Sequence, residues 1–284
     1  MFPGVSAIPA RRIRVVATLL ALLALSACTA GPALHARRIT VAAPSPSSPV
    51  PVPSASPSPT ATPAPGSLAW YVSQVPTFPL VPPPQPVPLP TTGPVPFWHR
   101  LPTEQKVAFI TIDDGGLARP PAVIDFIREA HIPVTLFLNS PAAAEHTDYF
   151  RQIEAAGGVV ENHTITHTSL SGRSYAYQKQ EICGAADRLE TLFGKRPTLF
   201  RPPFGNRDAS TLSAAHDCGM KAVFHWSETV HEGKVRYQTP EKVVRPGDVL
   251  LMHFRPALMD DLLAALKAIH RAGLTPALLE DYVR

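Results

Sequence analysis

The sequence has little net charge, few cysteines and no serine-hydrolase motif. Its 26 lysines and arginines nearly balance 22 aspartates and glutamates, so the net charge is +4. Arg11, Arg12 and Arg14 lie in a segment expected to be cleaved. The mature chain is therefore expected to carry a charge of about +1. This is too little positive charge to indicate binding to nucleic acid. The absence of a Gly-x-Ser-x-Gly elbow argues against a serine hydrolase.

The N-terminal apolar run, residues 15–25, is too short to span a bilayer, which takes about 20 residues. It follows a basic stretch and ends in Leu25-Ser26-Ala27-Cys28, which resembles the lipobox of bacterial lipoproteins. We therefore predict a signal peptide at residues 1–27 and a lipidated Cys28 that anchors the chain to the membrane. A plain signal peptide followed by a chance cysteine is the alternative. Both interpretations predict that the chain is exported, either as a lipoprotein on the outer face of the bacterial cytoplasmic membrane or as a secreted protein.

Prolines are abundant, 34 in all, and they are concentrated in the first third of the chain. Such a segment has few apolar side chains to bury and few backbone donors, so residues 28–100 are predicted to be a disordered Pro/Ser-rich linker. It would serve as a semi-rigid polyproline II spacer, and a proline-rich ligand for a partner is the alternative. An apolar patch at residues 68–72, with Phe78 nearby, is expected to dock on the folded domain.

Residues 101–284 are predicted to form the folded domain. Short apolar runs alternate there with helical patterns, which is typical of βα units and a mostly parallel sheet. Strands are predicted at residues 107–112, 134–138, 158–160, 198–200, 222–224 and 249–252. Helices are predicted after Pro121, over residues 175–193, before Gly219 and around residues 262–269. These elements suit an α/β barrel or an open doubly wound sheet.

Polar residues that can carry hydrolytic chemistry follow several of the predicted strands, where βα proteins place their active sites. They are Asp113 and Asp114 after the first strand, His163 and His167 after the third, Arg201 after the fourth, and His253 after a later one. On a helical turn, histidines four residues apart would face one way and, with a carboxylate, would form a three-ligand metal site. Each feature also has a structural alternative. The two aspartates could form an ordinary Asp-Asp-Gly turn, and the histidine pair could be a chance spacing. His253 could be a core histidine, and Arg201 could form a structural ion pair.

Together these segments resemble the NodB-like polysaccharide deacetylases of carbohydrate esterase family four. The resemblance covers roughly residues 106–282. It rests on Thr111-Ile112-Asp113-Asp114-Gly115, on residues 163–167, on residues 201–205 and on Leu251-Met252-His253. It implies an α/β fold, a distorted (β/α) barrel.

The resemblance also implies a role for each matching residue. Asp113 would be the general base, held in position by Arg201, and His253 would be the general acid. The backbone N–H of Phe204 would face the oxyanion, and Leu251 would line the acetyl pocket. A divalent metal would be bound by Asp114, His163 and His167. Zinc is the expected metal, with cobalt or nickel also acceptable to these ligands.

The fourth motif of the family is altered in this chain. The family usually has an acidic residue followed by tryptophan, whereas this chain has His225-Trp226-Ser227-Glu228. Trp226 is expected to form one wall of the substrate pocket, and Glu228 is a candidate replacement for the missing acid. The third motif has Phe204 where tyrosine is common, which matters little if the backbone N–H acts.

The expected activity is hydrolysis of N-acetyl groups from an amino-sugar polymer, such as peptidoglycan or a chitin-like glycan. The same apparatus would serve an O-acetyl polysaccharide esterase. A non-catalytic, lipid-anchored glycan-binding module is the alternative from a different class. The predicted partners are thus an acetylated glycan and, through Cys28, a membrane, while nucleic acid is excluded as a partner and the oligomeric state is left open.

Cys183 lies on the long predicted helix at residues 175–193, and Cys218 lies at the end of the next predicted helix. Outside the membrane they can form a disulfide, which would contribute on the order of 3 to 4 kcal/mol to stability. Two buried free thiols are the alternative. Three cysteines in an exported chain, one of them lipidated, favour the disulfide between the other two.

Overall fold

A computed structural model describes residues 62–284 of the chain. The predicted signal peptide, Cys28 and the linker up to residue 61 lie outside the described residues. Among residues 62–284, no helix combines the length and the apolarity needed to cross a membrane.

Ten strands form one sheet in the described part of the chain. They are β1 Phe97–Trp98, β2 Val107–Asp114, β3 Val134–Leu138, β4 Val159–Asn162, β5 Leu199–Phe200, β6 Ala222–Phe224, β7 Glu228–His231, β8 Lys234–Tyr237, β9 Val249–His253 and β10 Thr275–Ala277. Their order is β1-β6-β5-β4-β3-β2-β9-β7-β8, with β10 also paired to β2. Neighbouring strands are parallel except in the β7–β8 hairpin.

The sheet curls into a distorted barrel, as the resemblance implies. An antiparallel bridge joins Arg100, just beyond β1, to Asp248, just before β9. The hydroxyl of Ser227, just before β7, donates a hydrogen bond to the carbonyl of His99 at 2.9 Å. The first strand in the spatial order therefore lies close to the strands at the other end of that order.

Seven helices pack around the sheet in this part of the protein. They are α1 Leu68–Ser73, α2 Ala122–Glu129, α3 Ser140–Glu145, α4 Thr147–Ala155, α5 Tyr175–Phe193, α6 Ala209–Asp217 and α7 Leu258–Arg271, and short 3₁₀ turns occupy Pro203–Gly205 and Leu279–Tyr282. The longest, α5, begins at Ser174, whose side chain accepts a hydrogen bond from the N–H of Tyr177. It ends at Gly194, which has the left-handed φ of 75° that glycine adopts without strain.

Alternation along β2 explains where the site lies. Ala108, Ile110 and Ile112 join the apolar core under the helices, whereas Val107 and Phe109 join a second core inside the barrel. Successive side chains of a strand point to opposite faces. Thr111 and Asp113 therefore continue the inner face above an apolar floor, at the carboxyl end of the strand.

The described part of the predicted linker, residues 62–100, packs on the domain, and this corrects the expected boundary at residue 100. Tyr71 of α1 is buried against Phe126, and its hydroxyl donates a 2.6 Å hydrogen bond to Asp260. Further along, Val87 is buried and its N–H donates to the carbonyl of Tyr282. The docking expected for the patch at residues 68–72 is confirmed.

The same segment contributes a strand to the barrel. β1 pairs with β6, and Val95 just before it is buried in a third apolar cluster. Proline favours an extended backbone that supplies few hydrogen-bond donors. Buried apolar side chains spaced between the prolines therefore hold this segment against the domain, although proline content alone predicts a solvated spacer.

Cys183 and Cys218 form the predicted disulfide, which excludes the free-thiol alternative. Cys183 lies on α5 and Cys218 follows α6, and their Cα atoms are 4.9 Å apart. The bridge ties two outer helices together across 35 residues of sequence.

Candidate active site

The structure brings Asp113 and Arg201 into a buried ion pair. One guanidinium nitrogen of Arg201 donates to Asp113 Oδ1 at 2.6 Å and to the hydroxyl of Thr111 at 2.8 Å. The other terminal nitrogen donates to the carbonyl of His225 at 3.0 Å, and the guanidinium lies over the ring of Phe137. Arg201 is fully buried, so this network fixes the orientation of the Asp113 carboxylate.

Asp114, His163 and His167 form a compact cluster of candidate metal ligands. One potential ligand atom from each residue lies within 4.8 Å of the other two. Oδ1 of Asp114 is 3.5 Å from His163 Nε2 and 3.2 Å from His167 Nε2. Burial alone would raise the pKa of Asp114, but the adjacent imidazoles of His163 and His167 hold it well below the ordinary value.

The expectation of a helical turn between the two histidines is wrong. Residues 163–167 form a loop, in which Thr164 and His167 have positive φ values of 73° and 56°. The carboxylate of Glu181 accepts the backbone N–H groups of Ile165 and Thr166, at 3.1 and 2.8 Å. The imidazoles therefore converge because a buried acid on α5 holds the loop, and not because of helical spacing.

His163 is fixed in one ring orientation by the neighbouring backbone. Its Nδ1 is 2.7 Å from the carbonyl oxygen of Arg201 and must donate there, since a carbonyl only accepts. The lone pair of Nε2 is then directed toward Asp114. This arrangement of a ring N–H on a backbone carbonyl is the usual support of a metal-binding histidine.

The donor set fits a divalent metal. Oδ1 of Asp114 is buried without a conventional hydrogen-bond donor among the described residues, apart from the two imidazoles that face it. One carboxylate and two imidazoles are three of the ligands of a catalytic zinc-type site. Asp114, His163 and His167 can therefore hold the metal that the sequence predicts.

Sequence reasoning missed the residues that support this loop, chiefly Glu181. The available signal was an acidic residue on the buried face of α5, next to Ile182 and Ala185. Asn139 and Asn162 add further support: Asn139 donates to the carbonyl of His163, and Asn162 accepts the N–H of Thr164.

Glu181→Ala is expected to weaken zinc binding about 10- to 100-fold, because the histidine loop loses the acceptor of two backbone donors. Competition with a chromophoric chelator measures the change. Glu181→Gln retains an acceptor oxygen and should recover most of the affinity, and Glu190→Ala, on the exposed side of α5, is the matched control. Unchanged zinc affinity in Glu181→Ala would show that the loop holds its shape without this contact.

His253 faces the same cluster from β9. Its Nε2 is 3.9 Å from Oδ2 of Asp114, and Asp113 and His253 are register partners on adjacent strands. Burial lowers the pKa of His253, against the opposing influence of the nearby carboxylates. The side chain is 29% exposed, so a molecule bound at the site can reach it.

Phe204 sits at a strained position beside the candidate metal ligands. Its φ of 60° lies in the left-handed region, and its side chain is exposed, with the ring 4.7 Å from that of His167. Non-glycine residues adopt this conformation rarely, and they do so often at functional sites.

The two predicted pocket residues lie on different parts of the barrel. Leu251 pairs with Thr111 and belongs to the inner face that carries Asp113 and His253. Trp226 is half-buried and stacks on His225, and its ring comes close to Gly205 of the Pro203–Gly205 turn.

Glu228 does not replace the missing acid beside His253. It lies on β7 next to Leu250 of β9, three residues before His253, and its charged neighbours are Asp248, Arg245 and Arg100. The charges that act on His253 are those of the site itself and of Arg255. Glu228 is therefore a buried residue at the other end of the strands.

Glu228→Gln is expected to stabilise the protein at alkaline pH. Burial, with the charge and hydrogen bond of Asp248 adding to it, raises the pKa of Glu228 to about 9. Between the ordinary glutamate pKa and this value the folded protein keeps a proton that the unfolded chain has lost, so stability falls as pH rises through the window. The uncharged glutamine should gain about 1 to 3 kcal/mol over wild type at pH 8 and little at pH 4.

Urea unfolding at both pH values measures this difference. Glu232→Gln, an exposed glutamate on the adjoining hairpin turn, is the control and should show no such gain. A Glu228→Gln protein that is less stable than wild type at pH 8 would contradict a protonated Glu228.

Comparison with known proteins gives the family. The family model for polysaccharide deacetylases matches residues 100–223. An uncharacterised protein from Streptomyces coelicolor is 37% identical over 186 residues, which are 64% of this chain and 74% of that protein. The peptidoglycan-N-acetylglucosamine deacetylase of Bacillus cereus is 29% identical over 153 residues, 52% of this chain and 55% of that protein.

A solved structure shares the fold. It is a carbohydrate esterase family four pseudoenzyme from Bacillus anthracis, with a TM-score of 0.56 and 17% identity, covering 66% of this chain and 69% of that one. The sequence matches, the curled parallel sheet and the polar cluster at its carboxyl end all agree. The chain therefore belongs to the NodB-like polysaccharide deacetylases, carbohydrate esterase family four.

Proposed function

We propose that this protein is a metal-dependent deacetylase that hydrolyses N-acetyl groups of an amino-sugar polymer outside the cell. The observation that carries the proposal is the juxtaposition of Asp113, locked by Arg201, with three candidate metal ligands and with His253. This arrangement would supply a base, a metal site and an acid next to one another.

Asp113 is placed to take the proton of an attacking water. Its Oδ1 is committed to Arg201, and its Oδ2 lies 3.8 Å from His163 Nε2, on the side of the metal ligands. A divalent cation, zinc or in its place cobalt or nickel, would polarise the acetyl carbonyl and lower the pKa of water toward about 7 when held by Asp114, His163 and His167.

His253 is placed to protonate the departing amine. An amine leaves poorly unless it is protonated, and a histidine can hold and release a proton near neutral pH. The partly exposed His253 ring, on the strand next to that of Asp113, meets this requirement.

The remaining site residues shape the acetyl pocket. The strained turn at Phe204 would direct its backbone N–H toward the oxyanion of the tetrahedral intermediate, as preorganised donors do in acyl transfer. Leu251 on the inner face would contact the acetyl methyl, and Trp226 would form one wall of the pocket.

Export and lipid anchoring are part of the proposal. The lipobox-like sequence that ends in Cys28 supports a lipoprotein on the outer face of the cytoplasmic membrane. The disulfide between Cys183 and Cys218 is consistent with an oxidising compartment.

Acetate release from acetylated glycans tests the function. The protein from residue 62 onward, loaded with zinc, should release acetate from peptidoglycan or chitooligosaccharides. A chelator should reduce the rate by at least about 100-fold, and added zinc should restore it. Acetylated xylan separates O-deacetylation from N-deacetylation. If a protein with stoichiometric zinc releases acetate from none of these polymers, the proposal is wrong.

A non-catalytic glycan-binding module is the second candidate. One observation favours it: Glu228 points away from His253, so the altered fourth motif leaves this histidine without the usual acidic neighbour. The similar Bacillus anthracis structure is described as a pseudoenzyme, so this fold occurs without activity. Zinc binding and glycan binding without acetate release would support this candidate.

A further inference from the structure

A groove of about 470 Å³ adjoins the candidate active site. One wall is formed by Phe97 and His99 at the end of β1, and the other by the loop that carries Asn206 and Arg207. Its volume is within the range of small-ligand sites. The groove depends on the N-terminal segment that the sequence alone assigns to a linker.

The groove and the active site meet at Gly205. A Cβ atom there would come within 2.4 Å of the ring of His225, so only glycine permits this close approach. Gly205 lines the groove, and its neighbour Phe204 contacts His167. A polymer whose acetyl group reaches Asp113 can therefore place an adjoining sugar in the groove.

Arg207 is the charged group of this groove. It is exposed, and its guanidinium stacks on the ring of Phe97 at 3.9 Å. Among residues 62–284 no carboxylate forms a salt bridge with it, and no side chain or carbonyl accepts a hydrogen bond from it. Stacking fixes the guanidinium plane and leaves its N–H edge free, which is the geometry that binds a carboxylate through two parallel hydrogen bonds.

The groove carries no acidic side chain to compete for Arg207. Its described lining is aromatic, imidazole, amide, hydroxyl and guanidinium in character. The nearby Asp208 turns away, because its carboxylate accepts the N–H groups of Gly172 and Thr211. Burial, with the charges of His99, Arg201 and Arg207 adding to it, lowers the pKa of His225 to about 4, consistent with a positive local field.

From this geometry we infer that the groove is a subsite for a carboxylate-bearing sugar next to the sugar that is deacetylated, with Arg207 as the residue that selects it. The inference rests on the proposed function and narrows its substrate class to acidic amino-sugar polymers. A muramyl sugar offers such a carboxylate on a lactyl ether, and a uronic acid offers one on the ring itself. Neutral chitin-like polymers leave Arg207 without a partner.

Binding of matched tetrasaccharides tests the subsite without turnover. The probes are a GlcNAc–MurNAc tetrasaccharide, its neutral methyl ester, and a tetrasaccharide of alternating GlcNAc and glucuronic acid. Calorimetry uses the zinc-loaded Asp113→Asn protein, in which binding is separated from hydrolysis. The muramyl acid is expected to bind about 5- to 10-fold more tightly than its ester, and the preference should weaken as salt is added.

Arg207→Gln should reduce that preference to about 2-fold or less, and Arg207→Lys should retain an intermediate preference because it keeps the charge but not the fork. Arg188→Gln, an exposed arginine on α5, makes the same charge change away from the groove and should keep the full preference. The tighter of the muramyl and uronate probes identifies the source of the carboxylate.

Two results would overturn the inference: equal binding of the acid and its ester, or an Arg207→Gln protein with the unaltered preference. Acetate release by wild type is measured on the same probes. A carboxylate preference without acetate release would retain the subsite and reject the proposed function. Acetate release without a carboxylate preference would retain the proposed function and reject the subsite.

Discussion

Replacing Asp113 by asparagine is expected to lower kcat for acetate release by about 10²- to 10⁴-fold, because the water loses its proton acceptor. Asparagine has nearly the same shape and its carbonyl oxygen can still accept from Arg201, so the site should keep its geometry. The zinc content should remain that of wild type, since Asp113 is not among the three clustered ligands. Acetate assays and metal analysis on the same preparation measure both quantities.

The matched controls for this variant separate three explanations. Asp114→Asn should lose zinc and activity together, whereas Asp125→Asn, an exposed aspartate on α2 paired with Arg128, should resemble wild type. Removing the charge of Asp113 leaves the buried Arg201 without its counterion, so thermal unfolding should be recorded beside the kinetics. Wild-type kcat in a folded, zinc-loaded Asp113→Asn protein would exclude this residue as the base.

Much of the fold follows from local sequence patterns. The sequence predicts the bounds of α5, β3 and β6 to the residue, because β3 and β6 are short continuous apolar runs and Gly194 ends α5. The β7–β8 hairpin was missed. Its second strand, Lys234–Tyr237, is only four residues long and its apolar residues Val235 and Tyr237 are only partly buried, so the alternation is too short to mark a strand.

The site residues could be predicted, but their means of convergence could not. Asp113 and Asp114 follow from the position of a strand end, and parallel strands bring their carboxyl ends to one edge. The loop at His163 and His167 depends on positive φ angles and on a contact with Glu181, which lies 14 residues beyond His167 in the sequence. Spacing alone suggests a helical turn, and a long-range hydrogen bond overrides it.

The groove beside the site was also beyond the reach of sequence patterns. Its wall at Phe97 and His99 belongs to a segment in which prolines outnumber the apolar residues that dock it. Pairing of β1 with β6 and burial of Val95 become apparent only once the barrel is formed. Proline content describes the local backbone, whereas the tertiary structure determines whether such a segment is packed.

Replacing His253 by glutamine is expected to separate amide hydrolysis from ester hydrolysis. Loss of the acid should lower kcat on an N-acetyl glycan by about 10²- to 10⁴-fold, because the amine would have to leave without a proton. An aryl acetate such as 4-nitrophenyl acetate releases a stable phenolate that needs no proton. On that substrate the loss should be less than about 10-fold, since the metal site and Asp113 are untouched.

The contrast between the two substrates distinguishes a proton donor from a residue that merely supports the site. A structural role for His253 would reduce both reactions by the same factor, because the site next to Asp114 would be distorted for either substrate. His216→Gln, at an exposed histidine on α6, is the matched control for the side-chain change. Since Glu228 is remote from His253, the proposed acid lacks the acidic neighbour of the usual fourth motif. A selective loss on the amide would show that His253 serves as the acid even so, and an equal loss on both substrates would assign proton donation to another group.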